Sequence, residues 1–219
     1  SSSVINTGSG NDTITIVTEV GGFWATPYSL YAANGGTAAI IGGAGSDSIT
    51  LGRFAPPTGD DDFMFGPVAH PGGSVYNGII ALGSTTTAAD TVGYADANHL
   101  TIFGSVKNSQ VFGSAGNDQV ALSSGAVTGS SFAMGDGYDI LSLDMSGITS
   151  LAAFTANYGS LFGATTGFSS AAQGFEHVQL PGSIPAGVAA YLTGHGIDWS
   201  TVIQSDAGSF TTQANHSDY

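Results

Sequence analysis

Short runs of alternating apolar and polar residues recur along the chain, each preceded by a glycine-rich bend. Ile14 and Ile16 alternate with threonines, Ile49 and Leu51 with Ser48 and Thr50, and Val120 and Leu122 repeat the pattern. Period-two patterning over four or five residues predicts β-strands with one buried face. Ile140, Leu141 and Leu143 follow the same rhythm with a polar interruption. Further strands are expected over 38–41, 76–82, 100–103, 109–112 and 131–134, and the stretch 125–129 reads as a turn. After Gly147 the pattern changes. Residues 150–158 and 186–192 have helix-compatible spacing, the second with Pro185 near its start and Gly194 just past its end. Residues 175–180 read as one more strand.

The bends themselves repeat. Thr7-Gly8-Ser9-Gly10-Asn11-Asp12-Thr13-Ile14 returns as Gly42-Gly43-Ala44-Gly45-Ser46-Asp47-Ser48-Ile49. It returns again as Gly113-Ser114-Ala115-Gly116-Asn117-Asp118-Gln119-Val120 and as Met134-Gly135-Asp136-Gly137-Tyr138-Asp139-Ile140-Leu141. A fifth, damaged copy ends in Ala89-Asp90-Thr91-Val92. Glycines at alternate positions open backbone conformations closed to other residues, so the chain can curl and turn carbonyl oxygens inward. The Asp then adds a carboxylate at the end of the curl. An ordinary glycine-rich turn is the bland alternative, which repetition and the excess of Asp argue against. A phosphate cradle fits worse, because the Asp repels phosphate and no Lys-Ser/Thr ending follows.

These loops resemble the nonapeptide Gly-Gly-x-Gly-x-Asp-x-aliphatic-x repeats of RTX (repeats-in-toxin) proteins. Gly42 to Ile49 matches every specified position; the other three replace one leading glycine. The resemblance implies Ca²⁺ held between turns of a parallel β-roll, with Gly8, Gly10, Asn11, Asp12, Gly43, Gly45, Asp47, Asp90, Gly116, Asn117, Asp118, Gly135, Asp136, Gly137 and Asp139 as metal-site residues. It also implies type I secretion and folding in external calcium. The spacing departs from the family: Asp12 to Asp47 is 35 residues, Asp47 to Asp90 is 43, Asp90 to Asp118 is 28 and Asp118 to Asp139 is 21. The expected fold is therefore mainly β, a right-handed parallel β-solenoid (β-roll-like) with longer irregular turns and its calcium loops along one edge. Residues 1–147 form the solenoid in this reading, and 148–219 a small mixed α/β cap over its end.

Composition narrows the function. Lys107 and Arg53 are the only fixed positive charges against 14 Asp and 2 Glu, giving a net charge of −14. Phosphate neutralisation needs Lys and Arg, so nucleic acid is not an expected partner, nor is an anionic membrane surface. The short acidic side chains in tight loops suit hard, oxygen-ligated cations such as Ca²⁺. No cysteine occurs, which removes disulfides, thiolate zinc sites and thiol nucleophiles together. No apolar run approaches the ~18 residues of a membrane span. The chain starts at Ser1 without a basic-then-apolar leader, which reads as processing, excision from something longer or leaderless export.

Outside the repeats, residues 21–34 carry Phe23, Trp24, Tyr28 and Tyr31, either a loop covering the core or a contact surface for a partner subunit or glycan. Residues 53–73, with Pro56-Pro57 and Asp60-Asp61-Asp62, read as a long surface loop. His70, His99, His177, His195 and His216 show no paired metal spacing, and there is no Gly-x-Ser-x-Gly elbow. The expectation is a secreted, non-enzymatic structural protein, a homo-oligomer or polymer of a surface layer, filament or matrix at the cell exterior. The alternative is the calcium-binding repeat region of a secreted hydrolase, toxin or adhesin.

Overall fold

The computed structural model describes residues 3–16, 28–31, 38–52, 74–89, 96–123 and 125–201. Asp90, the loop at 53–73, Phe23 and Trp24, and the tail from 202 lie outside the described residues. The chain lays its strands down in a fixed rotation. A first circuit gives β1 (Ser3–Asn6), β2 (Thr13–Ile16) and β3 (Tyr28–Tyr31), and a second gives β4 (Ala38–Ile41), β5 (Ser48–Leu51) and β6 (Ser74–Tyr76). A third gives β7 (Gly78–Ala81), β8 (His99–Phe103) and β9 (Val106–Lys107). A fourth gives β10 (Gln110–Phe112), β11 (Gln119–Ser123) and β12 (Val127–Thr128). The fifth places β13 (Ser131–Ala133) and β14 (Ile140–Leu143), then replaces its third strand by α1 (Leu151–Tyr158) and a 3-10 turn. The last adds β15 (Ala172–Gln173), β16 (His177–Gln179), α2 (Val188–Gly194) and β17 (Trp199–Ser200).

Three sheets result, ordered β1-β4-β7-β10-β13-β15, β17-β16-β14-β11-β8-β5-β2 and β12-β9-β6-β3. Every pairing between these strands is parallel. The expectation of a mainly β chain with parallel strands and little helix is met. Residues after 147 supply both helices and also three further strands of the first two sheets. Among the described residues no helix is long and apolar enough to cross a membrane.

Register turns the alternating pattern into columns. Ile14, Ile49, Leu100, Val120, Leu141 and Val178 stack across the second sheet, one per circuit. All six are buried, and burial of an aliphatic side chain contributes roughly 1.5–3 kcal/mol. The stretch 125–129, expected as a turn, instead holds β12, because Val127 is buried and pairs with Val106 in the third sheet. At the far end Ser150 caps α1 by accepting the Ala153 N–H at 3.2 Å. Phe154, Phe162, Phe168 and Tyr191 form an aromatic cluster there, with ring centroids 5.8–6.0 Å apart along the chain of contacts.

A stacked acidic corner as the candidate functional site

All four Gly-x-Gly-x-Asp loops join a strand of the first sheet to a strand of the second, so they stack on one another at that corner. In three of them the two glycines take the same left-handed backbone. The φ values are 93° and 117° at Gly8 and Gly10, 106° and 118° at Gly43 and Gly45, and 102° and 121° at Gly135 and Gly137. The glycines are needed for room as well as for φ. A Cβ on Gly43 would fall 1.9 Å from Gly8 O, and one on Gly45 would fall 2.4 Å from Gly10 O. Likewise Ser114 O and Gly116 O occupy the space beside Gly135 and Gly137, at 2.5 and 2.3 Å from the added atom. The extra leading glycine of the second and third loops has its own cause. A Cβ on Gly42 would sit 2.5 Å from Asp47 Oδ2, and one on Gly113 would sit 2.7 Å from Asp118 Oδ2.

The aspartates form a ladder. The Asp12 N–H donates to Asp47 Oδ1 at 2.9 Å, and the Asp47 N–H donates to Asn98 Oδ1 at 2.8 Å. The Asn98 N–H donates to Asp118 Oδ1 at 3.3 Å, the Asp118 N–H to Asp139 Oδ1 at 2.7 Å, and the Asp139 N–H to Glu176 Oε2 at 2.7 Å. Each side chain thus accepts from the main chain of the preceding circuit. One residue earlier a second ladder runs the opposite way. Asn11 Oδ1 accepts the Ser46 N–H at 3.1 Å, Ser46 Oγ accepts the Ala97 N–H at 2.9 Å, and Asn117 Oδ1 accepts the Tyr138 N–H at 2.9 Å.

Two members of the acid column were not expected. Asn98 holds the position on the third circuit that the damaged repeat assigned to Asp90, and Glu176 holds it on the last. Gly174-Phe175-Glu176-His177-Val178 keeps the Gly-x-acid-x-aliphatic signature, so Glu176 was findable. Asn98 was not, because no glycine pair precedes it. Asp136 is exposed at the tip of its loop, whereas Asp47, Asp118 and Asp139 are buried.

Burial governs the electrostatics. Desolvation pushes Asp139 up to about 9, aided by the charges of Asp118, Glu176 and Asp136. Asp118 is pushed up to about 6 by burial, against hydrogen bonds from Ser114 and Asn98 that favour its ionised form. Asp47 is raised by burial and by the charges of Asp12 and Asp96, and Glu176 is raised by burial. One oxygen each of Asp12, Asp47 and Asp139 (Oδ2 in all three) is buried with no hydrogen-bond partner. Asp118 differs: its Oδ2 accepts the Ser114 N–H at 2.6 Å and its Oδ1 accepts from Asn98 Nδ2 at 2.8 Å. Among the described residues no three His, Asp or Glu side chains converge as a ready-made metal cage.

A second polar group lies near the column's end. His177 Nδ1 is 2.9 Å from Asp198 Oδ2, and its Nε2 is 3.0 Å from Ser200 Oγ. The ring is 1% exposed and stacks against Tyr138 at 6.4 Å. Within this Ser-His-Asp set only His177 is buried, Asp198 being 30% exposed, and the two contacts tie β16 to the β17 segment as a cross-strand strut. No family model, curated protein or solved structure matches the chain.

Proposed function

We propose that the chain is a right-handed parallel β-solenoid that completes its fold by binding Ca²⁺ outside the cell, where it serves as a self-assembling structural subunit. The observation that carries this reading is the trio of buried, unpartnered carboxylate oxygens on Asp12, Asp47 and Asp139. A buried carboxylate oxygen without a donor costs several kcal/mol unless it is protonated or meets a cation. Calcium prefers six to eight oxygens in flexible geometry, including main-chain carbonyls, so paired carboxylates at a corner of stacked loops suit it.

Two places along the column fit best. Asp12 and Asp47 lie together, with Asp96 close enough to raise Asp47; Asp139 lies with Glu176 and Asp136. Asp118, with both oxygens bonded, acts as a strut between them. Bound calcium supplies charge neutralisation between circuits, so binding and folding are linked. Loop glycines, which lose the most entropy on ordering, strengthen that link.

The test is far-ultraviolet circular dichroism and thermal melting in chelator, Ca²⁺ and Mg²⁺, with light scattering recorded alongside. The expected result is a β spectrum and a raised Tm in Ca²⁺, weaker in Mg²⁺, together with calcium-dependent growth in particle mass. Identical melts in chelator and calcium overturn the cation reading. A calcium-stabilised but monodisperse monomer overturns self-assembly alone.

A further inference from the structure

The face of the first circuit is built like an interior layer. In the first sheet Ile5, Ile40, Ile80, Val111, Phe132 and Ala172 share one column. The last five are at most 1% exposed, yet Ile5 is 42% exposed and its neighbour Val4 60%. In two later loops the space beside each left-handed glycine holds a carbonyl of the circuit before it. Beside Gly8 and Gly10 that space is empty, with nothing within 4 Å of either added Cβ. Asp47, Asn98, Asp118, Asp139 and Glu176 each accept an N–H from the preceding circuit. Asp12 occupies the same position, and among the described residues there is no earlier circuit whose N–H its carboxylate could accept. Among the described residues, strands β1 and β2 pair on one edge only.

We infer that this face is the seat of one further parallel circuit of the same repeat, carried by polypeptide ahead of Ser1. The complement it asks for is specific: one N–H for Asp12, two carbonyls for the pits at Gly8 and Gly10, and an aliphatic side chain over Ile5. The other end of a second copy does not offer it. Ahead of β17 the chain is leaving α2, and the Ile197 N–H is already given to Leu192 O at 3.0 Å. Two first-circuit faces placed together would run antiparallel and offer Asp12, Gly8 and Gly10 no parallel partner. The inference stands on strand register and does not depend on calcium.

The fourth circuit supplies a natural probe. Its Ser114 O and Gly116 O already fill the pits beside Gly135 and Gly137, and its Asp118 N–H already donates to Asp139. Since Gln110 pairs with Ser131 one circuit on, a copy of residues 110–130 placed directly ahead of Val4 brings Gly8, Gly10 and Asp12 into the places of Gly135, Gly137 and Asp139. The extended chain is compared with one carrying the same 21 residues scrambled, in calcium and in chelator, by thermal melting and amide hydrogen exchange. The expected result is a higher Tm, with Val4–Asn6 and Thr13–Ile16 amides protected about tenfold or more over the scrambled control. Equal Tm and equal exchange in the two extensions overturn the inference. So does a dimer of the unextended chain that Ile5→Glu dissolves, because the occupant is then a second copy. Failure of the calcium reading appears separately, as melts indifferent to chelator in every variant.

Discussion

Replacing Asp139 by Asn separates its two roles, as hydrogen-bond acceptor and as buried charge. The acceptor role survives, since Asn98 already serves in the same column by accepting the Asp47 N–H at 2.8 Å. The charge role does not. Asp139 is pushed up to about 9 from an ordinary value of 3.8, so its folded-state pKa lies above the unfolded one. Stability from the protonated acid is complete below the unfolded value and is lost as pH rises towards about 9. One proton is worth about 1.4 kcal/mol per pH unit, so Asp139 alone weakens the cation-free fold by about 4 kcal/mol between pH 5 and pH 8. An amide N–H left without an acceptor offsets about 1–3 kcal/mol of the gain from removing the charge. In chelator at pH 8, Asp139→Asn is therefore expected to be more stable than wild type by about 1–3 kcal/mol, and at pH 5 weaker by about 1–3 kcal/mol. In calcium the order reverses, because the variant gives up a ligand. Urea denaturation followed by circular dichroism at the two pH values, with and without calcium, measures all four quantities. A variant that keeps the full wild-type pH slope in chelator refutes the reasoning.

Gly113→Ala drives a Cβ to 2.1 Å from Met134 O at a glycine whose φ is not left-handed. It is expected to cost about 1–3 kcal/mol in urea melts by overpacking, whereas Gly194→Ala, in a helix with open space around it, is neutral or stabilising by up to about 1 kcal/mol. Asn98→Asp removes the Nδ2 bonds to Ser114 Oγ and Asp118 Oδ1 and adds a carboxylate between two others. A loss of about 2–4 kcal/mol at pH 8 in chelator is expected, smaller at pH 4.5, where Asp118 and Asp139 are protonated. His177→Ala removes the strut between β16 and β17. It is expected to cost about 1–3 kcal/mol and to change the environment of Trp199, read by its fluorescence, while leaving the β spectrum intact.

Local chemistry made part of this architecture legible in the sequence. The glycine pairs and the aliphatic residues two places after each Asp are signatures written within eight residues, and they mark the corner loops and the second-sheet strands directly. The third sheet was hidden because its strands are two to four residues long; Val127-Thr128 between two glycines looks like a turn until Val106 is beside it. The ladders were hidden for a different reason. Each joins residues 20 to 51 positions apart, and no local pattern announces the partner. Irregular repeat spacing, which argued against a regular roll, has a simple origin. The shortest circuits take 20 and 21 residues, and the longer ones add excursions between strands while the corner stays in register. The third circuit shows how far this goes: residues 82–98 replace the short loop entirely, yet Asn98 still lands on the column.

Asn98 also bears on why the column is acidic at all. Its amide does everything the ladder requires: the oxygen accepts the Asp47 N–H, and the nitrogen donates to Ser114 Oγ and Asp118 Oδ1 at 3.1 and 2.8 Å. A column of asparagines would therefore hold the circuits together without burying charge. Aspartates at 12, 47 and 139 add nothing to that ladder, and each brings a buried oxygen with no donor. Asp118 is the informative contrast. Where Ser114 replaces the loop glycine, the second oxygen is satisfied by the protein itself; where glycine remains, at 8, 43 and 135, it is left open. The glycine at that position and the unpartnered carboxylate occur together in three loops and are absent together in the fourth. Hydrogen bonding accounts for one oxygen each of Asp47 and Asp139; the other is left for a proton or for the cation proposed above, neither of which an amide can hold.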